Sequence, residues 1–225
     1  MVLLSLTAMP TGLVHARATK HERSASPEKL ILTIDDGFQK QDEIVQLLDA
    51  HNAKATFFIS GQALTAYPSA WQHAQTLGYA IGCHTMTHPA ASKISEIVFR
   101  RELRDWRATA KRVLGQEASN TTLFRFPYGD TGGRHRAVFQ KILEEEGFKS
   151  FLWDVDVSTP YTRLSPASRI KNATARLNES RVPNPIILAH FTAIDIPAIQ
   201  DVLSWAEAKG IQVQGVEGLR PESYH

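Results

Sequence analysis

An α/β fold built from seven strands alternating with six helices is predicted by the alternation, from Leu30 onward, of short β-branched or aromatic runs with longer stretches of helical period. Glycines at 78, 115, 147 and 210 follow four of the longer stretches, where helix stops stand. The 225 residues, 43% of them hydrophobic, suffice for one sizeable core but not comfortably for two. The first strand is Leu30–Ile34, four aliphatics around Thr33, followed by a helix over Gln41–Ala50. The second, Ala55–Ile59, carries Phe57 and Phe58 and leads into a helix over Pro68–Leu77, with proline at its first turn. Tyr79–Cys83 is the third and precedes the longest amphipathic stretch, Ser95–Leu114. Thr122–Phe126 is followed by Arg134–Glu146, Ser150–Trp153 by Pro166–Leu177, and Pro185–Ala189 by Ile196–Ala208; Ile211–Val213 is the seventh strand. Such alternation implies parallel pairing through right-handed crossovers, but periodicity does not separate an open doubly wound sheet from a closed barrel.

Several function classes are excluded by composition. Twenty-five basic and 23 acidic residues are spread evenly, for a formal charge of +2, so no basic stripe addresses a phosphate backbone and no nucleic-acid partner is expected. Cys83 is alone, which excludes an internal disulfide framework and leaves any metal to His and carboxylate ligands. Every candidate apolar segment is broken by a charge before it reaches the length of a membrane span. Met1–Ala18 opens with Val2, Leu3, Leu4 and Leu6 and closes on Ala16-Arg17-Ala18, a small-x-small pattern that fits an export signal, although the positive start of one is missing. It reads either as such a signal, placing the protein in the periplasm, the cell envelope or outside the cell, or as an unstructured leader. The expected organisation is thus a signal or leader segment over 1–18, a linker over 19–29 and a single folded domain over 30–225. Three Asn-x-Ser/Thr sequons, at Asn120, Asn172 and Asn178, would matter only in a eukaryotic secretory pathway.

In either architecture the chemistry gathers at the carboxyl ends of the strands. There the chain carries Asp35-Asp36-Gly37, His84-Thr85-Met86-Thr87-His88-Pro89, Arg125-Phe126-Pro127-Tyr128-Gly129, Trp153-Asp154-Val155-Asp156 and Leu188-Ala189-His190. Asp36, His84 and His88 offer two imidazoles and one carboxylate, a set that leaves positions open on a divalent metal; the i, i+4 histidines suit one helical turn. Either motif alone is also compatible with an ordinary turn or surface histidines, but adjacent carboxylates in a cleft repel unless a cation or a wide pKa separation relieves them. Arg125 reads as the charged partner of a carboxylate. The rigid turn from Phe126 can aim the Tyr128 backbone N–H at a developing oxyanion. His190 ends an apolar strand on the same rim, whereas His15, His51, His73 and His135 fall in helical or linker stretches and read as surface residues.

From about Leu30 to Val213, these motifs resemble those of the NodB-type polysaccharide deacetylases, carbohydrate esterase family four. The family's motifs read T-F-D-D-G, H-[ST]-x-x-H-P, R-x-P-Y-G, a tryptophan-and-aspartate segment and L-x-H; here Ile34 stands for the usual phenylalanine. The resemblance implies a distorted (β/α)7 barrel, the NodB homology domain. It also implies zinc, or cobalt or another divalent ion, on Asp36, His84 and His88, Asp35 as general base oriented by Arg125, Tyr128 as oxyanion donor and His190 as general acid. The implied reaction is hydrolysis of N-acetyl groups on N-acetylglucosamine residues of peptidoglycan, a chitin oligomer or an exopolysaccharide. The family's Asp-Trp pair beyond the first Trp-x-x-Asp is missing, replaced by Val157-Ser158-Thr159-Pro160, and Phe191-Thr192 follows His190 where an aspartate is common. That leaves Asp154 and Asp156 as alternative carboxylates for His190. The two rival expectations are a metal amidase for a small non-sugar amide and a non-catalytic glycan-binding homologue.

Overall fold

The computed structural model describes residues 27–158, 165, 168, 171–172, 175–177 and 182–218. The predicted leader at 1–18 and half of the predicted helix Pro166–Leu177 lie outside the described residues, as does Asn178; the members of that helix that are described are helical. The chain runs β1 (Lys29–Asp36), α1 (Gln41–Ala50), β2 (Thr56–Ile59), α2 (Gly61–Ala66), α3 (Pro68–Thr76), β3 (Ala80–Cys83), α4 (Glu96–Leu114), α5 (Gln116–Ser119), β4 (Leu123–Phe124), α6 (Arg136–Glu145), β5 (Lys149–Ser150), β6 (Val155–Asp156), β7 (Ile186–His190), α7 (Asp195–Ala208) and β8 (Gln212–Gln214). All the strand pairs are parallel, in the order β5-β4-β3-β2-β1-β7-β6 with β8 on β1.

β1 is the axis of the sheet. Its later residues pair with β2, its earlier ones with β8, and Ile31–Asp35 with β7. Because side chains alternate along a strand, Leu30, Leu32 and Ile34 enter the large core shared with the helices, while Ile31 joins Phe58, Phe151, Ile186 and Val216 on the concave side. Thr33 and Asp35 continue the inner row toward the strand's carboxyl end, so the core gives way to polar groups at the mouth. On the outer side α4 buries Phe99, Leu103, Trp106, Ala110 and Leu114, a helical stripe opened by Ser95, whose hydroxyl accepts from Val98 N–H. The Trp106 indole donates to Ile59 O at 2.7 Å, tying this helix to the end of β2.

The sheet curls until β5 and β6 face one another across a seam. Residues Phe151–Asp154 cross it: Phe151 N–H donates to Phe124 O at 2.9 Å on one side, and Asp154 exchanges two 2.8 Å hydrogen bonds with Ile186 on the other. This corrects the predicted fifth strand. Ser150–Trp153 is not one strand but the end of β5 followed by the crossing segment, and Val155–Asp156 is a further strand on β7. The additional helix α2 also escaped the sequence reading; six residues are too few to show a period, although Ser60 caps it by accepting from Ala63 N–H.

Candidate active site

The carboxyl end of β1 presents Asp35 and Asp36 in succession, and the alternation of the strand sends them different ways. Asp35 points inward and is buried, where it meets Arg125, which is fully buried just beyond β4. Arg125 uses its donors completely enough to span the seam: Nε to Phe151 O at 2.9 Å, Nη2 to Leu152 O at 3.1 Å, and Nη1 to Thr33 Oγ1 at 2.6 Å and Asp35 Oδ1 at 3.0 Å. Its guanidinium lies 4.4 Å from the Phe58 ring centre. Burial pulls the Arg125 pKa below the usual guanidinium value, and the Asp35 charge and hydrogen bond resist it.

Asp36 turns out of the sheet at φ 78, a left-handed conformation continued by Gly37 at φ 94. A Cβ on Gly37 would come within 2.6 Å of the Trp71 ring, so the close approach as well as the dihedral calls for glycine. This bend brings Asp36 Oδ1 to 3.1 Å from His88 Nε2 and 3.5 Å from His84 Nε2, and the two Nε2 atoms are 3.1 Å apart. Burial opposes ionisation of Asp36, but hydrogen bonds and charge from His84 and His88 outweigh it and hold the carboxyl far below the usual range.

The histidines do not share a helical turn, contrary to the sequence expectation. Thr85 and His88 adopt left-handed backbone at φ 62 and φ 61, and Thr85 Oγ1 accepts from His88 N–H at 3.1 Å. Glu102 of α4 clasps the bend by accepting from Thr87 N–H at 2.7 Å and from Thr87 Oγ1 at 2.8 Å. A bend held from outside therefore aims both rings at Asp36. His84 Nδ1 sits 2.9 Å from Arg125 O, and because a carbonyl only accepts, Nδ1 carries the proton and Nε2 offers its lone pair.

The donor set fits a divalent cation. The three ligand atoms lie within 4.8 Å of one another, and their separations lie near the roughly 3.3 Å that ligand bonds of about 2.0–2.1 Å give around a tetrahedral zinc. Asp35 Oδ2, 3.8 Å from His84 Nε2, borders this centre without belonging to it. Tyr128, at φ 60, packs its ring against His88 with centroids 4.6 Å apart, and among the described residues its N–H has no acceptor.

His190 closes β7 in register with Asp35. Its Nδ1 lies 2.9 Å from Ser158 Oγ and 3.3 Å from Asp195 Oδ2. Burial pushes the imidazole pKa down, but the Asp195 hydrogen bond and the charges of Asp35, Asp36 and Asp195 outweigh it, so the net shift is upward. Asp154 and Asp156, the alternatives that the sequence left open, are engaged differently: Asp154 accepts from Ile186 N–H and Asp156 from Ser158 N–H. All seven residues singled out in the sequence thus converge on one rim. Thr33, Glu102, Ser158 and Asp195 were missed. Only Asp195 left a trace, an acid five positions after His190 at a helix start.

A curled parallel sheet with a buried carboxylate–arginine pair, a His/His/Asp triangle and a histidine at its mouth defines a hydrolase barrel. The chain belongs to the polysaccharide deacetylase family, whose model matches residues 22–149. It is 28% identical over 198 residues to a peptidoglycan-N-acetylglucosamine deacetylase of Bacillus cereus, covering 86% of this chain and 68% of that protein. To a chitooligosaccharide deacetylase of Azorhizobium caulinodans it is 29% identical, covering 78% of this chain and 77% of the relative. Among solved structures, a CE4 family pseudoenzyme from Bacillus anthracis superposes with a TM-score of 0.73 at 22% identity, over 86% of this chain and 65% of that one, a likeness of fold. The distorted barrel expected from the motifs is the fold observed.

Proposed function

We propose that this chain is a metal-dependent deacetylase that removes N-acetyl groups from N-acetylglucosamine residues of a polysaccharide outside the cytoplasm, peptidoglycan foremost. The observation that carries the reading is the triangle of Asp36, His84 and His88 bordered by the Arg125-held Asp35, with His190 in register with Asp35 on the adjoining strand. A divalent ion on that triangle, zinc or cobalt, would supply Lewis acidity toward the acetamide carbonyl and make water acidic enough to lose a proton near neutral pH.

The rest of the chemistry falls to the chain's own residues. Asp35 accepts the proton of the attacking water, and Arg125 keeps the accepting carboxylate from turning away. The Tyr128 N–H, held by its left-handed backbone, donates to the carbonyl oxygen as negative charge develops there. His190 gives a proton to the sugar nitrogen as the C–N bond breaks, because an amide nitrogen leaves only as an amine. The products are acetate and a free amine.

Peptidoglycan is favoured because the Bacillus cereus relative is named for it, while the Azorhizobium relative makes a chitin oligomer the natural comparison. Turnover, rather than silent glycan binding, is supported by the base beside the triangle, which binding alone does not require. The test is acetate release by the purified protein from peptidoglycan, from N-acetylglucosamine oligomers and from a small N-acetyl amide, before and after chelation and with zinc or cobalt restored. Chelator-sensitive, metal-rescued release from a glycan is expected. Release from the small amide alone would replace this reading with a non-sugar amidase, and no release despite bound metal would make the chain a binding homologue.

A further inference from the structure

Where the sequence departs from its family, at Val157-Ser158-Thr159-Pro160, the structure supplies an unforeseen arrangement. Ser158 Oγ donates to Asp195 Oδ2 at 2.7 Å and stands 2.9 Å from His190 Nδ1. The same Asp195 oxygen accepts the backbone N–H of His190 at 2.6 Å and lies 3.3 Å from its Nδ1. Asp195 is buried at the first position of α7 and is itself pinned, its N–H donating to Thr192 O at 3.2 Å.

The hydrogens in this triangle can be counted. A backbone N–H can only donate, so Asp195 Oδ2 is an acceptor; the Ser158 hydroxyl spends its one hydrogen on that oxygen; its lone pair is then what faces His190 Nδ1, which must carry the hydrogen between them. The other ring nitrogen, Nε2, has no partner among the described residues, and the side chain is about one-third exposed at 31%. We infer that Asp195, directly and through the Ser158 hydroxyl, is the positioning residue that fixes the ring of His190 with Nδ1 as donor and Nε2 presented to the leaving nitrogen. A residue pair, one just beyond β6 and one at the start of α7, thereby does the work of a single carboxylate.

In the reaction, the Nε2 proton passes to the sugar nitrogen as the C–N bond breaks, and the bonding pair leaves with that nitrogen. Nδ1 keeps its hydrogen, so neither Ser158 nor Asp195 gains or loses a proton. The role rests on the deacetylase reading for its consequence but not for its geometry, and the experiment separates the two.

Asp195→Asn and Ser158→Ala are compared with the parent chain on penta-N-acetylchitopentaose, whose nitrogen must be protonated to leave, and on 4-nitrophenyl acetate, whose phenolate leaves unaided. Asp195→Asn is expected to lower kcat on the oligomer by about 10²-fold, the scale of general-acid assistance, with KM within about twofold. Its loss on the aryl ester is expected to be at least about tenfold smaller, and Ser158→Ala to follow with a smaller loss. Equal losses on both substrates, or none on the oligomer, would overturn the inference. Nitrogen-15 NMR of the His190 ring in the parent chain decides it separately: at a pH above the ring's titration, where one nitrogen alone carries hydrogen, that nitrogen must be Nδ1, and a neutral ring with its hydrogen on Nε2 refutes the arrangement even if no substrate releases acetate.

Discussion

Replacing Arg125 with methionine tests the seam and the base together. The guanidinium is wholly buried and holds four acceptors: the Asp35 carboxylate, Thr33 Oγ1, and the carbonyls of Phe151 and Leu152. Removing it leaves a buried carboxylate without its counter-charge, which costs about 3–5 kcal/mol. Two carbonyls left short of a donor add about 1 kcal/mol each, and the methionine chain recovers part of the lost packing. The sum, about 4–6 kcal/mol, is a large share of the roughly 5–15 kcal/mol that holds a domain together. Urea unfolding in the presence of a chelator measures it without a metal-binding contribution. Because most of the cost is the stranded charge, adding Asp35→Asn should recover about 2 kcal/mol or more, a coupling that a double-mutant cycle isolates. A loss below about 1.5 kcal/mol for Arg125→Met, or strict additivity in the double variant, would show that the pair does not carry the seam.

Three further outcomes are expected. Asp35→Asn should retain metal by calorimetric titration while acetate release falls by at least about 10²-fold, whereas His84→Ala should lose metal and activity together; activity surviving Asp35→Asn would remove it as the base. Glu102→Ala, which frees the Thr87 clasp on the histidine bend, should weaken metal binding by about 10–100-fold with the ligands intact, and an unchanged titration would show that the bend holds itself. The pH profile follows from the acid role proposed for His190, which requires a protonated ring; burial lowers its pKa, but Asp195, Asp35 and Asp36 raise it on balance. Activity should persist above the ordinary histidine value of about 6.5 and fall as pH rises through the shifted one, and Asp195→Asn should move that limb to lower pH. The same sign applies to folding: the stability that a raised histidine contributes is complete below its unfolded pKa and is lost as pH rises through its folded one. A limb unmoved in Asp195→Asn would contradict the assignment.

What the sequence made legible was whatever depends on local order. Strand runs such as Leu30–Ile34 and the stripe of Ser95–Leu114 announce themselves by period, and the catalytic candidates by lying just past strand ends. What it hid was set by tertiary contacts. Nothing in His84 to His88 declares that Thr85 and His88 take left-handed backbone, since a β-branched threonine rarely does so and the bend is held from other elements, by Glu102 of α4 and by the Gly61 and Gln62 N–H groups of α2. Val155–Asp156 is a strand because β7 pairs with it, and two residues carry no period of their own. Ser158 and Asp195 meet across 37 positions, a contact that no motif spacing encodes.

The placement of β1 also orders events in time. Asp35, Asp36 and both histidine ligands are supplied by β1 and the chain through His88, so the triangle belongs to a stretch that emerges early from the ribosome. His190 arrives on β7, which reaches β1 through contacts such as Thr33 with Ile187, 154 positions apart. Closing a loop of that length is a late and slow step. On the proposed roles, a chain that has folded through Arg125, which orients His84, would hold the cation triangle before it possessed an acid, and competence for turnover would appear only when the last third of the polypeptide docks.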